Sequence, residues 1–372
     1  MKKIAIIGAG ISGLFFANLL KNSSDYDFTI FEKKKSIETE DGYGIQLSVN
    51  SIKLLNEIGF NNVDKNQIYN PKRINFINAK NNKKVCDLDI SKFNYKNNQY
   101  TTLKRSTLLK FLLNNISKYK IKLNVELKKL ICEKKLTLSF SENYTEEFDY
   151  LIVSDGIFSD TKSLILNKDS KPEYFNAVAI RGNINDYQNK DISLYFGSNF
   201  HFVIYPVNKK NEFNFISIIK KKLLDKKMYT DESFLQSITQ ELYKKTEVKL
   251  DGKLRNIKSF PIYISEKIEI SDKKNIFFVG DALFATPPSF AQGASQSIES
   301  SKELFDQIQN NTNDYYKNRI KKINSVNWRS KLNYFSFHLS NPIFSMFRNS
   351  ILKILVKNNK FLDNYLGNIY RS

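Results

Sequence analysis

Two hydrophobic patterns alternate along the chain. Three short runs are apolar without interruption, Ile4-Ala5-Ile6-Ile7, Leu151-Ile152-Val153 and Ile276-Phe277-Phe278-Val279, as expected for strands covered on both faces of a parallel sheet. The first runs straight into Gly8-Ala9-Gly10-Ile11-Ser12-Gly13, then into helical spacing from Leu14 to Leu20, then into a second strand, Phe28-Thr29-Ile30-Phe31. Further helices are expected over 50–58 (stopped by Gly59), 105–116, 231–244 and 293–308, and shorter strands over 123–126, 136–140 and 147–148. Between these pieces the pattern changes to period-two alternation. Segments 74–77 and 84–88 flank a polar turn as a hairpin, and 177–184, 192–196, 201–207 and 213–220 follow in the same style. The expected architecture is α/β. A doubly wound, Rossmann-like domain is assembled from 1–70, 100–170 and 265–330, an antiparallel β-sheet substrate domain (71–99 and 171–264) is inserted into it, and a helical region covers 331–372. Such domain junctions favour ligand pockets.

The 372 residues are 41% hydrophobic and 13% aromatic, enough for a large core. No apolar run reaches 18 residues, and Lys2-Lys3 leads directly into a strand, so neither a spanning helix nor a signal peptide is expected and the cytoplasm is the expected location. Cys86 and Cys132 stand far apart without metal-site spacing, so no disulfide framework and no metal are expected. The net charge of +20 attracts anionic partners, but the excess is mostly Lys, scattered among abundant Asn and Ile. There is no arginine-rich arm or base-stacking motif, which argues against a specific nucleic-acid role and leaves weak attraction to a membrane surface open.

The glycine turn carries the first chemistry. Gly8 permits the turn, Gly10 lets backbone approach a pyrophosphate, and Gly13 lets the helix pack on its strand with its N-terminus toward the anion. Glu32, at the end of the second strand, is placed to accept from ribose hydroxyls. Alone, this admits NAD or FAD. A loop carrying Gly42 and Gly44 is suited to lie against a flat ligand. The stretch 275–299, NIFFVGDALFATPPSFAQGASQSIE, delivers Asp281 to a tight Gly280 turn, where its carboxylate meets a polyol hydroxyl. Pro287-Pro288 stiffen the next loop, and Gly293-Ala294 open a helix whose N–H groups face developing negative charge.

With Asp155-Gly156 after its own strand, these segments resemble the single-component FAD-dependent aromatic hydroxylases, the flavin monooxygenases similar to para-hydroxybenzoate and salicylate hydroxylases. GAGISG with Glu32 is similar to their ADP-binding motif, VSDGIFSDTKSLI to their Asp-Gly motif, and VGDALFATPPSFAQGASQSIE to their Gly-Asp motif. The resemblance implies Gly8, Gly10, Ser12, Gly13, Glu32 and Lys33 on the ADP half of FAD. It implies Gly44, Arg105, Asp155 and Gly156 along its middle, Asp281 on the ribityl chain, and Pro288, Gly293 and Ala294 at the flavin ring. It further implies NAD(P)H as a transient co-substrate and, through a flavin C4a-hydroperoxide, oxygen transfer to an aromatic or polycyclic small molecule by a monomer or homodimer. Arg181, His201, Phe202, Tyr205 and Pro206 from the inserted sheet, with Pro288 and Phe290, are candidates to face the substrate. His201, Arg181, Tyr205 and Pro288 are the catalytic candidates. His338, Trp328 and Tyr334 are assigned to C-terminal packing.

The chain departs from the pattern at two points. Phe284 stands where relatives often carry His, and Glu299-Ser300 where they often carry Glu-Asp. Neither change touches flavin binding, but Phe284 cannot relay a phenolic proton. A reductase or halogenase on the same scaffold is the alternative enzyme, and the halogenase Trp-x-Trp-x-Ile signature is absent, since Trp328 is the single Trp. A basic FAD-binding protein at a membrane surface, without catalysis, is the non-enzymatic alternative.

Overall fold

The structure is a computed structural model and describes residues 1–371 apart from 22, 41, 142–143, 186, 224–228, 230 and 251. Its centre is a five-stranded parallel sheet in the order Ile276–Phe278, Tyr150–Val153, Lys2–Ile7, Tyr26–Glu32, Ile121–Leu123. Ile4, Ala5 and Ile6 are fully buried because both faces of the sheet are covered, which is why these runs lack alternation. The chain leaves Lys2–Ile7 toward one edge and returns on its other side, so the crevice beyond the carboxyl ends of the central strands is the switch point where such sheets bind ligands. Helix Ile11–Leu20 packs beside Gly293–Asn310 over one face, and a three-stranded antiparallel sheet covers the other, with Phe31 stacked on Phe140 at a 4.0 Å ring separation.

The expected strand over 123–126 is corrected. Leu123 ends an edge strand, Asn124 turns into the left-handed region (φ 59°), and the next strand is Leu127–Cys132. Asn reaches that conformation at low cost, and the alternation of Leu and Val on either side conceals the break.

The second large sheet has seven strands in the order Leu254–Ile264, Glu173–Asn185, Glu212–Lys220, Phe200–Pro206, Ile192–Gly197, Arg73–Asn78, Lys83–Asp89. All neighbours are antiparallel except Ile192–Gly197 with Arg73–Asn78, the parallel seam that joins the early hairpin to the later strands. Helix Glu232–Lys244 buries Phe234, Ile238 and Leu242 against one face; the other face looks toward the parallel sheet.

Helix Tyr315–Phe337 runs unbroken through residue 330, where the sequence reading begins its C-terminal region. No Gly or Pro interrupts it; the break comes at His338, ahead of the Asn341 cap and Pro342 that start helix Pro342–Leu355. Trp328 is 60% exposed, so its expected packing role is also corrected. Among the described residues, no helix is long and apolar enough to cross a membrane.

Candidate FAD and substrate site

At the carboxyl end of Lys2–Ile7 the glycines divide by what surrounds them. Gly8 has φ 100°, and a Cβ there would sit 2.7 Å from the Ser154 carbonyl oxygen. A Cβ on Gly13 would sit 2.2 Å from the Gly8 carbonyl oxygen and 2.5 Å from Ser154 Oγ. These two glycines let strand, turn and helix touch. Gly10 is different: the nearest atom to its virtual Cβ is the Ser154 carbonyl oxygen at 3.9 Å, so its open side remains free for a ligand. Glu32 closes the turn, its Oε2 accepting from Ala9 N–H (2.9 Å) and its Oε1 from Lys34 N–H (3.0 Å). Ser12 lies elsewhere. It is buried, its Oγ donates to the Ser297 carbonyl (3.2 Å) and shares a hydrogen bond with Ser301 Oγ (3.0 Å), so it ties the turn helix to the later helix. Lys33 is spent on an exposed ion pair with Asp160 at 3.1 Å.

Further along the crevice, Asp155 has an Oδ1 that is buried and without a hydrogen-bond partner. Burial pushes its carboxyl up, and hydrogen bonds from Ser159 and Thr161 pull it back. Gly156 beside it has φ 88° and open space at its Cβ position. Arg105 opens helix Arg105–Asn114; burial and the nearby Arg181 lower its pKa, while Glu38 and Asp281 offset them. Asp281 lines the cavity with its side chain still exposed to it. Desolvation by the surrounding protein pushes its carboxyl up to about 6, against the pull of Arg105. Ser300, at one of the departures from the family pattern, accepts from Gly280 N–H (3.3 Å) and shares a hydrogen bond with Tyr315 Oη (2.7 Å), so it braces the Asp281 turn.

The crevice widens into a cavity of about 1010 Å³ at the junction of the two large sheets. Pro288 begins a short turn, Ala291 takes φ 53°, and helix Gly293–Asn310 starts at the cavity wall with open space at the Cβ position of Gly293 and no acidic residue in its first turn. The adjacent Gln292 Nε2 is a buried donor with no partner. Unpaired buried polar groups are costly, and this one, like Asp155 Oδ1, marks a place where a polar ligand completes the hydrogen bonding. The open flank of Gly10 and the two unpaired polar groups fit FAD laid from the glycine turn to Gly293 and Ala294. The cavity volume, at the top of the usual range for ligand pockets, leaves room beyond a flavin ring for a second molecule.

The inserted sheet contributes the opposite wall. Strand Phe200–Pro206 alternates, so His201, Val203 and Tyr205 line the cavity while Phe202 and Pro206 turn away; Phe202 belongs to the core under helix Glu232–Lys244. That corrects the expectation for Phe202 and Pro206. Gly44 is pressed against this sheet: a Cβ would sit 2.6 Å from Asn214 Cβ, and its N–H donates to Asn214 Oδ1 at 2.6 Å. Arg181 lies over the Tyr43 ring at 5.4 Å. Burial raises the Tyr205 pKa, which keeps the phenol neutral, with Gln46 hydrogen-bonded to it. His201 Nδ1 is 2.8 Å from His338 Nε2. Burial holds His201 well below 6.5 and lowers His338 to about 3, so both rings are neutral and the pair is a fixed hydrogen-bonding element rather than a standing base. Phe284 is packed in the main core, where it carries no proton.

Sequence reasoning missed the third wall. Helix Pro342–Leu355 contributes Phe347, Ile351 and Arg348 to the cavity. Arg348 is 9% exposed, stacks on Phe196 at 4.2 Å and donates to the Ser336 carbonyl at 3.1 Å. Among the described residues no carboxylate lies within ion-pair distance of it, and burial lowers its pKa to about 10. Its only sequence signal is that it is the one charge in PIFSMFRNSI. Asn214 likewise gives no motif.

A family model described as "FAD binding domain" matches residues 1–314. Solved structures of similar fold include Klebsiella pneumoniae HpxO complexed with FAD and uric acid (TM-score 0.83, 16% identity, covering 98% of this chain and 97% of that one). A salicylate hydroxylase substrate complex aligns with TM-score 0.77 at 16% identity, over 99% of this chain and 95% of that one. The tetracycline destructase Tet(55) aligns with TM-score 0.72 at 18% identity, over 96% of each chain. The chain belongs to the FAD-binding domain family. FAD is the cofactor that this family binds.

Proposed function

We propose that the chain uses NAD(P)H and O2 to hydroxylate an aromatic or polycyclic small molecule held between the Gly293 helix terminus and the inserted sheet. The observation that carries this is the single cavity shared by Asp281, Pro288 and Gly293 on one side and by Ile216, Val203 and Phe347 on the other. FAD, when bound, accepts a hydride from NAD(P)H and activates O2. The chain's own residues supply the surroundings. Gly8, Gly10, Gly13 and Glu32 hold the adenosine end, Arg105 and Asp155 the middle, and Asp281 a ribityl hydroxyl. N–H groups at the start of Gly293–Asn310 face the negative charge of a reduced ring without titrating. The apolar walls exclude water and orient the substrate's flat face.

His201 and Tyr205 are neutral at pH 7 and act as hydrogen-bond partners to the substrate, not as bases. Arg181 lines the cavity beside the flavin end and Arg348 at the far end, so an oxyanion or carboxylate on the substrate has two places to dock. Among proteins of similar fold, one is complexed with uric acid and others are named as a salicylate hydroxylase and a tetracycline destructase, and all three compounds are ring systems bearing acidic or enolic groups. Peripheral attachment to an anionic membrane belongs to the same reading. The test follows NAD(P)H oxidation by FAD-loaded protein against phenolic, heteroaromatic and polycyclic compounds, with mass spectrometry of products. A gain of one oxygen in a compound that also speeds NAD(P)H oxidation is expected. Oxidation that never yields an oxygenated product, across the panel, assigns a reductase or oxidase instead.

A further inference from the structure

Helix Pro342–Leu355 is inverted relative to a helix folded for water. Its only buried residue is Arg348, whereas Ile343, Phe344, Met346, Phe347, Ile351 and Ile354 are each 54% to 67% exposed. At 100° per residue these six cover about 160° of its circumference, an outward-facing apolar stripe interrupted by one small polar residue, Ser350. Trp328, Leu332 and Phe335 of the preceding helix, 40% to 66% exposed, extend the apolar surface. Exposed patches of this extent mark an interaction surface.

Charge selects the partner. No Asp or Glu occurs between Asp314 and Asp363, while Lys331, Lys353, Lys357 and Lys360 are all exposed on this part of the chain. A second copy would bring two basic faces together, with no acid on either to pair them. An apolar stripe edged by lysines instead fits the headgroup boundary of an anionic bilayer, where the stripe sinks among acyl chains and the lysines meet lipid phosphates and carboxylates. Phe344, Phe347 and Ile351 belong to the stripe and also line the cavity. The cavity mouth therefore lies in the same face.

We propose that this face, helix Pro342–Leu355 with Trp328, Leu332 and Phe335, docks on anionic lipid bilayers and opens the cavity toward the lipid. Delivery of an apolar substrate from the bilayer rests on the function proposed above. Docking itself is measured without turnover, so the two fail separately.

The chain carries its own probe, since Trp328 is the only Trp and lies within the face. FAD-loaded full-length protein is titrated with vesicles of phosphatidylcholine alone or with about a third phosphatidylserine, with and without brominated acyl chains. The wild type should bind the anionic vesicles at least tenfold more tightly, with blue-shifted Trp328 emission quenched by bromine, and should release as salt rises. Ile343→Gln/Met346→Gln/Ile354→Gln alters three exposed side chains that do not line the cavity. It should weaken vesicle binding at least tenfold while leaving flavin content and melting temperature unchanged. Failure of the wild type to bind, or equal binding by the triple variant, overturns the proposal. So does light scattering that shows a stable dimer which the triple variant reduces to monomer, because a second copy would then own the face.

Discussion

Gly10→Ala and Gly13→Ala differ by one methyl on neighbouring turns of backbone, and the structure separates their outcomes. At Gly13 the new Cβ would stand 2.2 Å from the Gly8 carbonyl oxygen, more than an ångström inside ordinary contact, and that oxygen is backbone, which no side-chain rotation at Ser154 can relieve. Overpacking of this kind costs about 1–3 kcal/mol or more, so Gly13→Ala should lower the melting temperature of the FAD-free protein. At Gly10 the nearest atom is 3.9 Å away, and the backbone (φ −80°, ψ −175°) is an extended conformation open to any residue. The FAD-free Gly10→Ala protein should therefore melt within the ~0.5 kcal/mol scatter of neutral surface changes. The methyl does project into the side left for the pyrophosphate. Displacing that anion from the turn forfeits one or two charge-assisted hydrogen bonds of about 1.5–3 kcal/mol each. FAD affinity should thus fall roughly tenfold or more. Titration of FAD into stripped protein by flavin fluorescence, paired with thermal melts, measures both quantities. Gly10→Ala that binds FAD like wild type, or melts as low as Gly13→Ala, would show that the open flank of Gly10 is not the phosphate site.

Other residues give equally separable results. Desolvation raises Asp281 in the folded state to about 6, above its unfolded value of 3.8, so the FAD-free protein should lose stability as pH rises from about 4 to 6, by an amount reduced by the exposure of this side chain to the cavity. Asp281→Asn should flatten that loss while weakening FAD binding; an unchanged pH profile would place the carboxylate in open water. For His338 the sign is opposite: an unfolded imidazole protonates near 6.5 but the folded one only near 3, so stability falls as pH drops below 6.5, by about 2 kcal/mol from this ring at pH 5. Denaturant melts at pH 7 and 5 should show His338→Gln to be less acid-sensitive than wild type, and equal sensitivity would contradict the neutral pair. Arg348→Met should raise KM about tenfold for carboxylate- or phenolate-bearing substrates and leave neutral ones nearly unaffected. An equal effect on both classes would make the residue a packing element.

The parts of the fold that were legible are those where the backbone itself makes the demand. Gly8 and Gly13 are fixed by contacts under 3 Å, Gly280 by a positive φ, and the buried parallel strands by coverage on both faces; each leaves a fixed residue type at a fixed spacing. What failed was partner choice. Ser12 sits inside the fingerprint yet bonds Ser297 and Ser301, 285 and 289 residues away, and nothing local announces that. Phe202 and His201 are adjacent in an alternating strand, and which face meets the cavity depends on how the sheet is laid against the other domain. Arg348 and Trp328 were missed or misassigned for the same reason. Apolar periodicity says that a helix has two sides, and only tertiary packing says which side is left to solvent.

The most direct test of the central claim is single-turnover oxygenation under ¹⁸O2. FAD-loaded protein is reduced anaerobically with one equivalent of NAD(P)H, supplied with a flat phenolic or heteroaromatic compound that accelerates that reduction, and mixed with labelled oxygen. The account predicts a product carrying one ¹⁸O atom, in yield approaching the bound flavin. Reoxidation of the flavin with all the reducing equivalents recovered as hydrogen peroxide and no label in any compound that accelerates reduction would contradict it.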